Sequence, residues 1–557
     1  MAELRGVGIG LGVARGPVAR MAEPLPPPSD APSTLSADEE SARVKDAVAA
    51  VARELEQRGA QAGGAAQDVL EAQAMMAEDP SLADEVATRL AQGKTGEFAV
   101  FDAFASFRDQ LTALGGYLGE RAADLDDVAQ RVIARLRGEP APGVPDPGHP
   151  FVLVAKDLAP ADTALLDLDK VLALITTEGG PTSHTAILAR EKSIVAIVGA
   201  ADAASLREGE TVIVDAAAGV VTTEPTPDEL ERAQHRAEDR ASASSAPITD
   251  GALADGTPVP LLANLGKPEA AADAVALGAE GVGLFRTEFL FLSSAQAPTV
   301  EQQRESYTQL LSAFPGKKVV VRVLDAGADK PLAFLNDAHE ENPALGLRGI
   351  RALRASEDIL REQLTALAEA DAATRRMPGG AADLWVMAPM VATVEEAVYF
   401  TDLARDYGIK TAGVMVEVPS SALLADRILS YTDFASIGTN DLTQYTMAAD
   451  RLLGSVASLQ DPWHPAVLRL IREVGDAGRI NRKPVGICGE AAADPLLAVV
   501  LVGLGATSLS MAPTALADVR ATLLQHTLDD ARVIAEAALA ANDAASARTA
   551  AQAAATR

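Results

Sequence analysis

The sequence is short of the features that mark secreted and membrane proteins. It contains one cysteine, Cys488, so no disulfide can form within the chain, and this fits a reducing compartment. No run of about 20 apolar residues is present that could span a membrane. The N-terminal segment MAELRGVGIGLGVARG lacks the continuous apolar core of a signal peptide. We therefore expect a cytoplasmic protein.

Basic residues are also scarce. The 557 residues include 48 Lys and Arg against 78 Asp and Glu, which gives a net charge of -30. Nucleic acids and anionic membranes repel such a polyanion, so neither is expected as a main partner. A basic partner protein and a small ligand in a locally basic pocket are both compatible with this charge.

The N-terminal part of the chain has helical periodicity from residue 36 onward. Ser36 and Glu39 form the pattern of a capping box, and the helix that follows is predicted to end at Gly59. Asp79-Pro80 marks the start of another helix. Further helical stretches are predicted at 67–77, 80–92, 97–113 and 118–137. These stretches indicate a small helical bundle, which a Pro- and Gly-rich linker at 138–150 terminates.

The rest of the chain has α/β character. Short apolar runs between turns follow Pro150, as in buried strands, so the bundle is predicted to be an insertion between β segments at 5–20 and an α/β domain. The charged, Ser- and Ala-rich stretch 226–246 is interpreted as a linker. Eight strand candidates alternate with helical patterns beyond it, which indicates a (β/α)8 barrel. They are 259–264, 281–286, 319–325, 384–390, 413–419, 434–441, 485–490 and 507–513. The alanine-rich end, 537–557, is compatible with a helix or a frayed tail.

One of the 6 histidines, His184, lies in the stretch GGPTSHTAILAR. A phosphate carried by His184 would lie near free N–H groups at the positive end of a helix dipole. Ser183 and Thr185 add hydroxyl donors. A structural histidine in a helix cap is the alternative that this stretch leaves open.

Cationic side chains cluster at the predicted C-terminal ends of the barrel strands, where such barrels have their active sites. They are Arg286, Arg322, Lys330, Arg348, Arg351 and Arg451. Arginine forks bind phosphate and carboxylate groups bidentately, so the implied ligand carries several such groups. For a single arginine, ordinary surface charge is the alternative.

Acidic and thiol groups end other strands at the same rim. Glu417 ends the fifth predicted strand, and Asn440 and Asp441 end the sixth. Mg²⁺ is commonly bound by one or two carboxylates together with a substrate phosphate, so Glu417 and Asp441 are candidate Mg²⁺ ligands. The alternative is that these carboxylates form ion pairs with the rim arginines. Cys488 ends the seventh strand. Its thiol could donate a proton in the reaction, or the residue could serve as a small buried hydrophobic side chain.

Together these motifs resemble enzyme I of the phosphoenolpyruvate-dependent sugar phosphotransferase system. GGPTSHTAILAR is similar to the family's phosphohistidine signature, and GVMVEVPSSALLAD with FASIGTNDLTQYTMAADR is similar to its phosphoenolpyruvate-site signature. GVGLFRTEFLF, VRVLDAGADKP, ENPALGLRGIR and GICGEAAAD also match. The resemblance covers nearly the whole chain, although the helical bundle, similar to the docking domain for the small phosphocarrier HPr, matches less specifically.

The resemblance implies a phosphoenolpyruvate-protein phosphotransferase with a phosphohistidine intermediate. His184 would take the phosphoryl group, supported by a hydrogen bond from Thr163, and pass it to a histidine of HPr. Pyruvate would leave once Cys488 has protonated its enolate, and Glu417 and Asp441 would ligate Mg²⁺. The residues implied to hold phosphoenolpyruvate are Arg286, Arg322, Lys330, Arg348, Asn440, Asp441 and Arg451. This reaction is the first general step of sugar uptake.

The resemblance also implies a division into domains. A phosphohistidine α/β domain comprises 1–22 and 146–225, and a helical HPr-binding domain comprises 23–145. The linker 226–246 precedes the barrel, 247–557, which binds phosphoenolpyruvate and forms a homodimer. Because one histidine serves two sites, the phosphohistidine domain is expected to swivel.

Three other interpretations share some of these motifs. Pyruvate phosphate dikinases and phosphoenolpyruvate synthases need an additional ATP-binding domain, for which this chain has no room. A nitrogen-branch homologue would carry an additional N-terminal sensory domain. A catalytically inactive scaffold is disfavoured, because every expected chemical residue is present.

Overall fold

The structure is a computed structural model of the 557-residue chain. It describes residues 3–10, 12–22, 25–62, 64–114, 122–139, 143–158, 166–167, 169–180, 183, 185–186, 188–189, 194–245, 247–292, 297–326, 332, 335, 340–377, 379–451 and 453–556. The chain divides into two compact units, Met1–Ala237 and Glu238–Arg557. Three residues singled out in the sequence, Thr163, His184 and Lys330, lie outside the described residues.

An eight-stranded mixed sheet forms the centre of the first unit. Its strands are β1 (Glu3–Arg5), β2 (Val7–Ile9), β3 (Val13–Arg20), β4 (Phe151–Ala155), β5 (Val171–Thr176), β6 (Val195–Val198), β7 (Thr211–Asp215) and β8 (Val220–Thr223). They lie in the order β1-β8-β7-β3-β4-β5-β6-β2, and β3 to β6 run parallel. Every residue of β4 is buried, which explains its continuous apolar run.

In the part of this region that the structure describes, five helices between β3 and β4 form the predicted bundle. They are α1 (Ala37–Ala62), α2 (Gly64–Ala77), α3 (Pro80–Ala91), α4 (Gly96–Leu114) and α5 (Ala122–Arg137). The capping box is present, because Glu39 Oε2 accepts from Ser36 N at 2.9 Å and Ser36 Oγ accepts from Glu39 N at 3.3 Å. The predicted helix end at Gly59 is wrong. Glycine costs about 1 kcal/mol in a helix interior, and the packing of α1 against α2 and α5 outweighs this cost.

The segment interpreted as a linker contains an ordered helix, α6 (Pro227–Ser245). Thr226 begins it, since its backbone N–H and its hydroxyl each donate to Glu229 Oε2 over 2.8 Å. The division between the two compact units falls within this helix. Its role as a connection between domains stays a prediction.

The second unit is built on a closed barrel of eight parallel strands, which confirms the predicted (β/α)8 fold. The strands, in order around the barrel, are β9 (Leu261–Leu265), β10 (Val282–Arg286), β11 (Lys318–Arg322), β12 (Asp383–Ala388), β13 (Thr411–Val416), β14 (Ala435–Ile437), β15 (Val485–Ile487) and β16 (Ser508–Met511). Each predicted segment overlaps one strand. Most of the segments also run into the following loop, because apolar residues continue past the last ladder hydrogen bond.

Helices surround this barrel. They are α7 (Ala271–Ala276), α8 (Glu288–Leu292), α9 (Val300–Ser312), α10 (Ile350–Ala355), α11 (Glu357–Thr374), α12 (Val394–Asp406), α13 (Pro419–Leu423), α14 (Ala425–Ile428), α15 (Thr439–Met447), α16 (Pro465–Asn481), α17 (Pro495–Gly503), α18 (Leu516–Leu523), α19 (Leu528–Leu539) and α20 (Ala544–Ala555). The alanine-rich end is therefore helical, and Ala547 and Ala551 bury it against the core. None of the described helices combines the length and apolarity needed to cross a bilayer.

The lower end of the barrel interior holds an ammonium group. Lys318 begins β11, and its Nζ lies 4.0 Å from the centre of the Trp385 ring. Burial lowers the pKa of Lys318 to about 8, and the Asp383 carboxylate opposes part of this shift. A charged lysine in this position therefore costs stability.

We expect Lys318→Met to raise the melting temperature at neutral pH. Because the folded-state pKa of Lys318 is below the unfolded value, its destabilising effect is complete below about pH 8 and disappears as the pH rises toward 10.5. The gain of the variant should shrink over this range. Calorimetric melting at both ends of the range checks it, with the exposed neighbour Lys317→Met as the control; a gain that does not depend on pH would contradict the prediction.

Candidate active site

Polar side chains lie at the C-terminal ends of four barrel strands. Arg286 and Arg322 are the last residues of β10 and β11 and are paired in register. Glu417 directly follows β13, and Cys488 directly follows β15. Because the strands are parallel, all four residues lie at one rim of the barrel.

Arg348 is the centre of a buried ion-pair network at this rim. Its Nη2 lies 2.9 Å from Asp325 Oδ2, and its Nη1 lies 3.1 Å from Asp441 Oδ1. The same Nη1 donates to the Tyr445 hydroxyl over 3.2 Å. Asp441 Oδ2 lies 3.4 Å from Arg451 Nη1. Arg348 thus ties the segment after β11 to helix α15 after β14.

Arg322 forms a second buried pair. Its Nη2 donates to Glu288 Oε1, and its Nη1 lies 3.2 Å from Asp325 Oδ2. Among the described residues, Arg322 Nε and Glu288 Oε2 have no hydrogen-bond partner although both are buried. A buried donor without a partner is costly, so Arg322 Nε is suited to an anionic ligand. Arg286 forms no ion pair with any residue that the structure describes, which leaves its guanidinium suited to the same ligand.

Glu417 is buried among other carboxylates. Its Oε1 accepts from Met390 N at 2.7 Å, and its Oε2 faces Gly438, where a Cβ would lie only 2.9 Å away. Burial is the main cause that raises the pKa of Glu417 to about 8, and the charges of Asp441 and Asp325 add to it. A cation between Glu417 and Asp441 would relieve this repulsion.

The donor set fits a metal whose shell is completed by a substrate. Within the described ranges, no three His, Cys, Asp or Glu side chains are arranged to hold a metal ion by themselves. Mg²⁺ is commonly held by one or two carboxylates plus substrate phosphate oxygens and water. Glu417 and Asp441 match that pattern, whereas a closed site with four protein ligands does not.

Cys488 has a buried thiol beside this cluster. Its Sγ donates to Ile437 O over 3.5 Å, and burial raises the pKa of Cys488 to about 11. The thiol is therefore protonated at neutral pH.

Asn440 Oδ1 accepts from Glu490 N at 3.0 Å, which fixes the loop after β15 to helix α15. The close approach requires Gly489, because a Cβ there would lie 1.8 Å from Thr439 Oγ1.

The described residues around the histidine motif of the first unit form a capped turn. Ser183 Oγ accepts from Ala186 N at 3.3 Å, as an N-cap side chain does. Thr185 Oγ1 donates to Asp157 Oδ1 over 2.7 Å. These contacts agree with the predicted helix start after the histidine.

Three family models match the chain in order. They are the PEP-utilising enzyme N-terminal domain at 5–121, the mobile domain at 147–219 and the PEP-binding domain at 240–528. A phosphoenolpyruvate-protein phosphotransferase of Streptomyces coelicolor is 53% identical over 553 residues, which are 99% of this chain and 98% of the relative. The chain belongs to the enzyme I family. Phosphoenolpyruvate-protein phosphotransferases of Haloferax volcanii and Geobacillus stearothermophilus are 39% and 38% identical, over 90% of this chain and 90% and 89% of theirs.

Membership of the enzyme I family makes this protein a phosphoenolpyruvate-protein phosphotransferase, as its sequence motifs predict. Enzymes of this family depend on a metal. The structure brings Arg322, Arg348, Arg451, Asp441 and Glu417 together at one rim. Asn440 and Cys488 lie beside them.

The two acidic residues of the site differ in whether they form ion pairs with the rim arginines. Asp441 pairs with Arg348 and Arg451, whereas the hydrogen bond of Glu417 goes to Met390 N. Sequence reasoning did not assign a site role to Asp325, Glu288 and Tyr445. Asp325 and Glu288 stand next to predicted strand ends, so their position was a usable signal. Tyr445 reaches Arg348 only through the packing of α15, for which the sequence carries no local signal.

Proposed function

We propose that this enzyme transfers the phosphoryl group of phosphoenolpyruvate first to His184 and then to a histidine of the phosphocarrier HPr. Pyruvate is released, and the reaction is the first general step of sugar uptake by the phosphotransferase system. The observation that carries the proposal is the buried cluster of guanidinium and carboxylate groups at the barrel rim. Such a cluster provides what phosphoryl transfer requires, namely charge neutralisation and fixed orientation.

The arginines bind the two anionic ends of phosphoenolpyruvate. Arg322 and Arg348 are fixed by carboxylates before the substrate arrives, so little reorganisation opposes its binding. Arg286 and Arg451 complete the cationic surface, and Lys330 and Asn440 assist. Glu417 and Asp441 hold Mg²⁺, which when bound neutralises charge on the phosphate oxygens.

His184 is the nucleophile. Its ring nitrogen attacks phosphorus, the bond from phosphorus to the enol oxygen breaks, and the electron pair stays with the enolate. Thr163 orients the imidazole. The Cys488 thiol then donates its proton to the methylene carbon of the enolate, which yields pyruvate and a thiolate.

Each proposed domain has one part in this phosphoryl transfer. A phosphohistidine domain, 1–22 and 146–225, swivels between the barrel, 247–557, and HPr held by the helical domain, 23–145. The segment 226–246 connects these parts, and the barrel forms a homodimer. Because the histidine moves with its domain, it can reach phosphoenolpyruvate in the barrel and HPr in turn, and HPr does not have to approach the barrel site.

Radiolabelled phosphoenolpyruvate tests the proposed function. With Mg²⁺ the full-length protein should become labelled, and added HPr should remove the label. An inactive scaffold would stay unlabelled, and a dikinase would also take label from ATP. Label that remains on the protein in the presence of HPr would contradict HPr as the acceptor.

We expect Cys488→Ser to slow turnover by roughly 10²–10⁴, the usual effect of losing a general acid. Serine is nearly isosteric but a far weaker acid, so phosphoenolpyruvate should still bind. Stopped-flow kinetics of phosphorylation, beside a melting curve, measure the two effects separately. A folded variant with a near-normal rate would show that Cys488 only fills the core.

A further inference from the structure

The barrel interior below the active-site rim is small and polar along one side. Ser436 on β14, Gly486 on β15 and both Ser508 and Ser510 on β16 line a cavity of about 10 Å³ together with Lys318. This volume is room for one water molecule. We call these five residues the interior seam.

Gly486, Ser508 and Ser436 lie side by side within the interior seam. A Cβ on Gly486 would lie 3.0 Å from Ser508 Oγ and 3.8 Å from Ser436 Oγ, so the absence of a side chain there brings the two hydroxyls to one space. Ser508 is 5% exposed and lines the cavity. A water molecule in the cavity would find hydroxyl partners there.

The upper end of the seam reaches the candidate proton donor. Ser436 is paired in register with Gly486, two residues before Cys488, and its hydroxyl lowers the pKa of the Cys488 thiol against the larger effect of burial. Ser510 Oγ donates to Asn264 Oδ1 over 2.5 Å, and Asn264 Nδ2 donates to Cys488 O over 3.0 Å. The seam therefore holds both the thiol and the backbone of Cys488.

The lower end of the seam is Lys318. Its ammonium group is largely buried, yet it lines the same cavity as the serine hydroxyls. Packing alone does not account for this set, because a buried ammonium costs free energy that an apolar side chain would not. Leu262, Val320 and Phe434 line the same cavity and provide its apolar part.

We propose that the interior seam returns a proton to Cys488 from the lower end of the barrel after each turnover. Ser436 donates its hydroxyl proton to the thiolate and takes one from the cavity water. The water takes one from the ammonium of Lys318, which regains a proton from solvent. Each group ends as it began, with one proton moved from solvent to sulfur.

This route delivers the proton to Cys488 through the barrel interior, on the side away from the substrate at the rim. Cys488 is 2% exposed, and a ligand at the rim would cover it from above. The negative charge of Glu417 would destabilise a thiolate on Cys488. The lowered pKa of Lys318 makes its ammonium a better proton source than an ordinary lysine. The inference rests on the proposed role of Cys488 as the proton donor.

Infrared spectroscopy of the full-length protein tests the route directly. The chain has one cysteine, so its S–H stretching band belongs to Cys488 alone. Transfer into D₂O converts the band to S–D at the rate of proton exchange. Lys318→Met and Ser436→Ala should each slow this conversion by roughly 10²-fold. Ser436→Thr, which keeps the hydroxyl, should restore it.

Two controls make the test specific. Thr401→Val removes a buried hydroxyl that donates to Ala397 O within α12, away from the seam, and should exchange like the wild type. Oxalate with Mg²⁺, which resembles the enolate, should leave exchange in the wild type unchanged. Exchange that oxalate blocks, or that neither seam variant slows, would place the proton route at the rim and overturn the proposal. Lys318→Met is expected to be the more stable protein, so it keeps the test valid if Ser436→Ala does not fold.

The two proposals fail in different experiments. A near-normal turnover rate in Cys488→Ser removes the proton-donor role, whatever the exchange rates are. Slow turnover in Cys488→Ser, together with wild-type exchange in Lys318→Met and Ser436→Ala, leaves the donor role intact and overturns the route alone.

Discussion

His184→Ala should leave the protein with no radioactivity after incubation with radiolabelled phosphoenolpyruvate and Mg²⁺. The substitution removes the only proposed acceptor atom for the phosphoryl group. It should not unfold the motif, because the described contacts around it come from Ser183 and Thr185. Phosphoenolpyruvate should still bind, since its proposed ligands are in the barrel.

An exposed histidine of the same unit provides the control for this experiment. His149→Ala should be labelled like the wild type, because His149 is exposed and its Nδ1 hydrogen-bonds to the adjacent Pro150 O. Calorimetric titration of phosphoenolpyruvate into both variants checks that the barrel site is intact. Stable label on His184→Ala, at any residue, would refute the proposed nucleophile.

The barrel could be predicted because its signal is local. The buried parallel strands are mostly apolar, and the predicted site residues stand where the chain leaves the sheet, as at Arg286, Glu417 and Cys488. The position of such a residue at the barrel rim can therefore be predicted from the apolar segment that precedes it in the sequence. The helix end at Gly59 failed for the opposite reason, since the packing of a long helix overrides the preference of one residue.

The partners of the site residues could not be predicted from the same signals. Asp325 neutralises both Arg322 and Arg348, which are 23 residues or fewer from it in sequence, but only the closed barrel brings all three together. The interior seam depends on the register of β14, β15 and β16, since a shift by one residue would turn Ser436 and Ser508 outward. Register is set by the whole sheet, and no single segment encodes it.

Glu417→Gln should abolish the metal-dependent phosphorylation of the protein. Glutamine keeps the size of glutamate and can still accept a hydrogen bond from Met390 N, so the local fold should persist. It removes one of the two carboxylates that fit Mg²⁺, and an amide oxygen is a weaker ligand for a hard cation. Calorimetric titration of Mg²⁺ in the presence of phosphoenolpyruvate should show a large loss of affinity, whereas the exposed Glu395→Gln should match the wild type.

Glu417 tests the metal more cleanly than Asp441 does. Asp441→Asn would also release Arg348 and Arg451 from their ion pairs, so its effect on turnover would combine altered substrate binding with lost metal binding. In Glu417→Gln the rim arginines keep their carboxylate partners, and phosphoenolpyruvate binding measured without Mg²⁺ should not weaken. Lost Mg²⁺ affinity with retained phosphoenolpyruvate affinity would assign Glu417 to the metal. Unchanged Mg²⁺ affinity would instead mean that Glu417 serves the fold through Met390, and that the metal is held elsewhere.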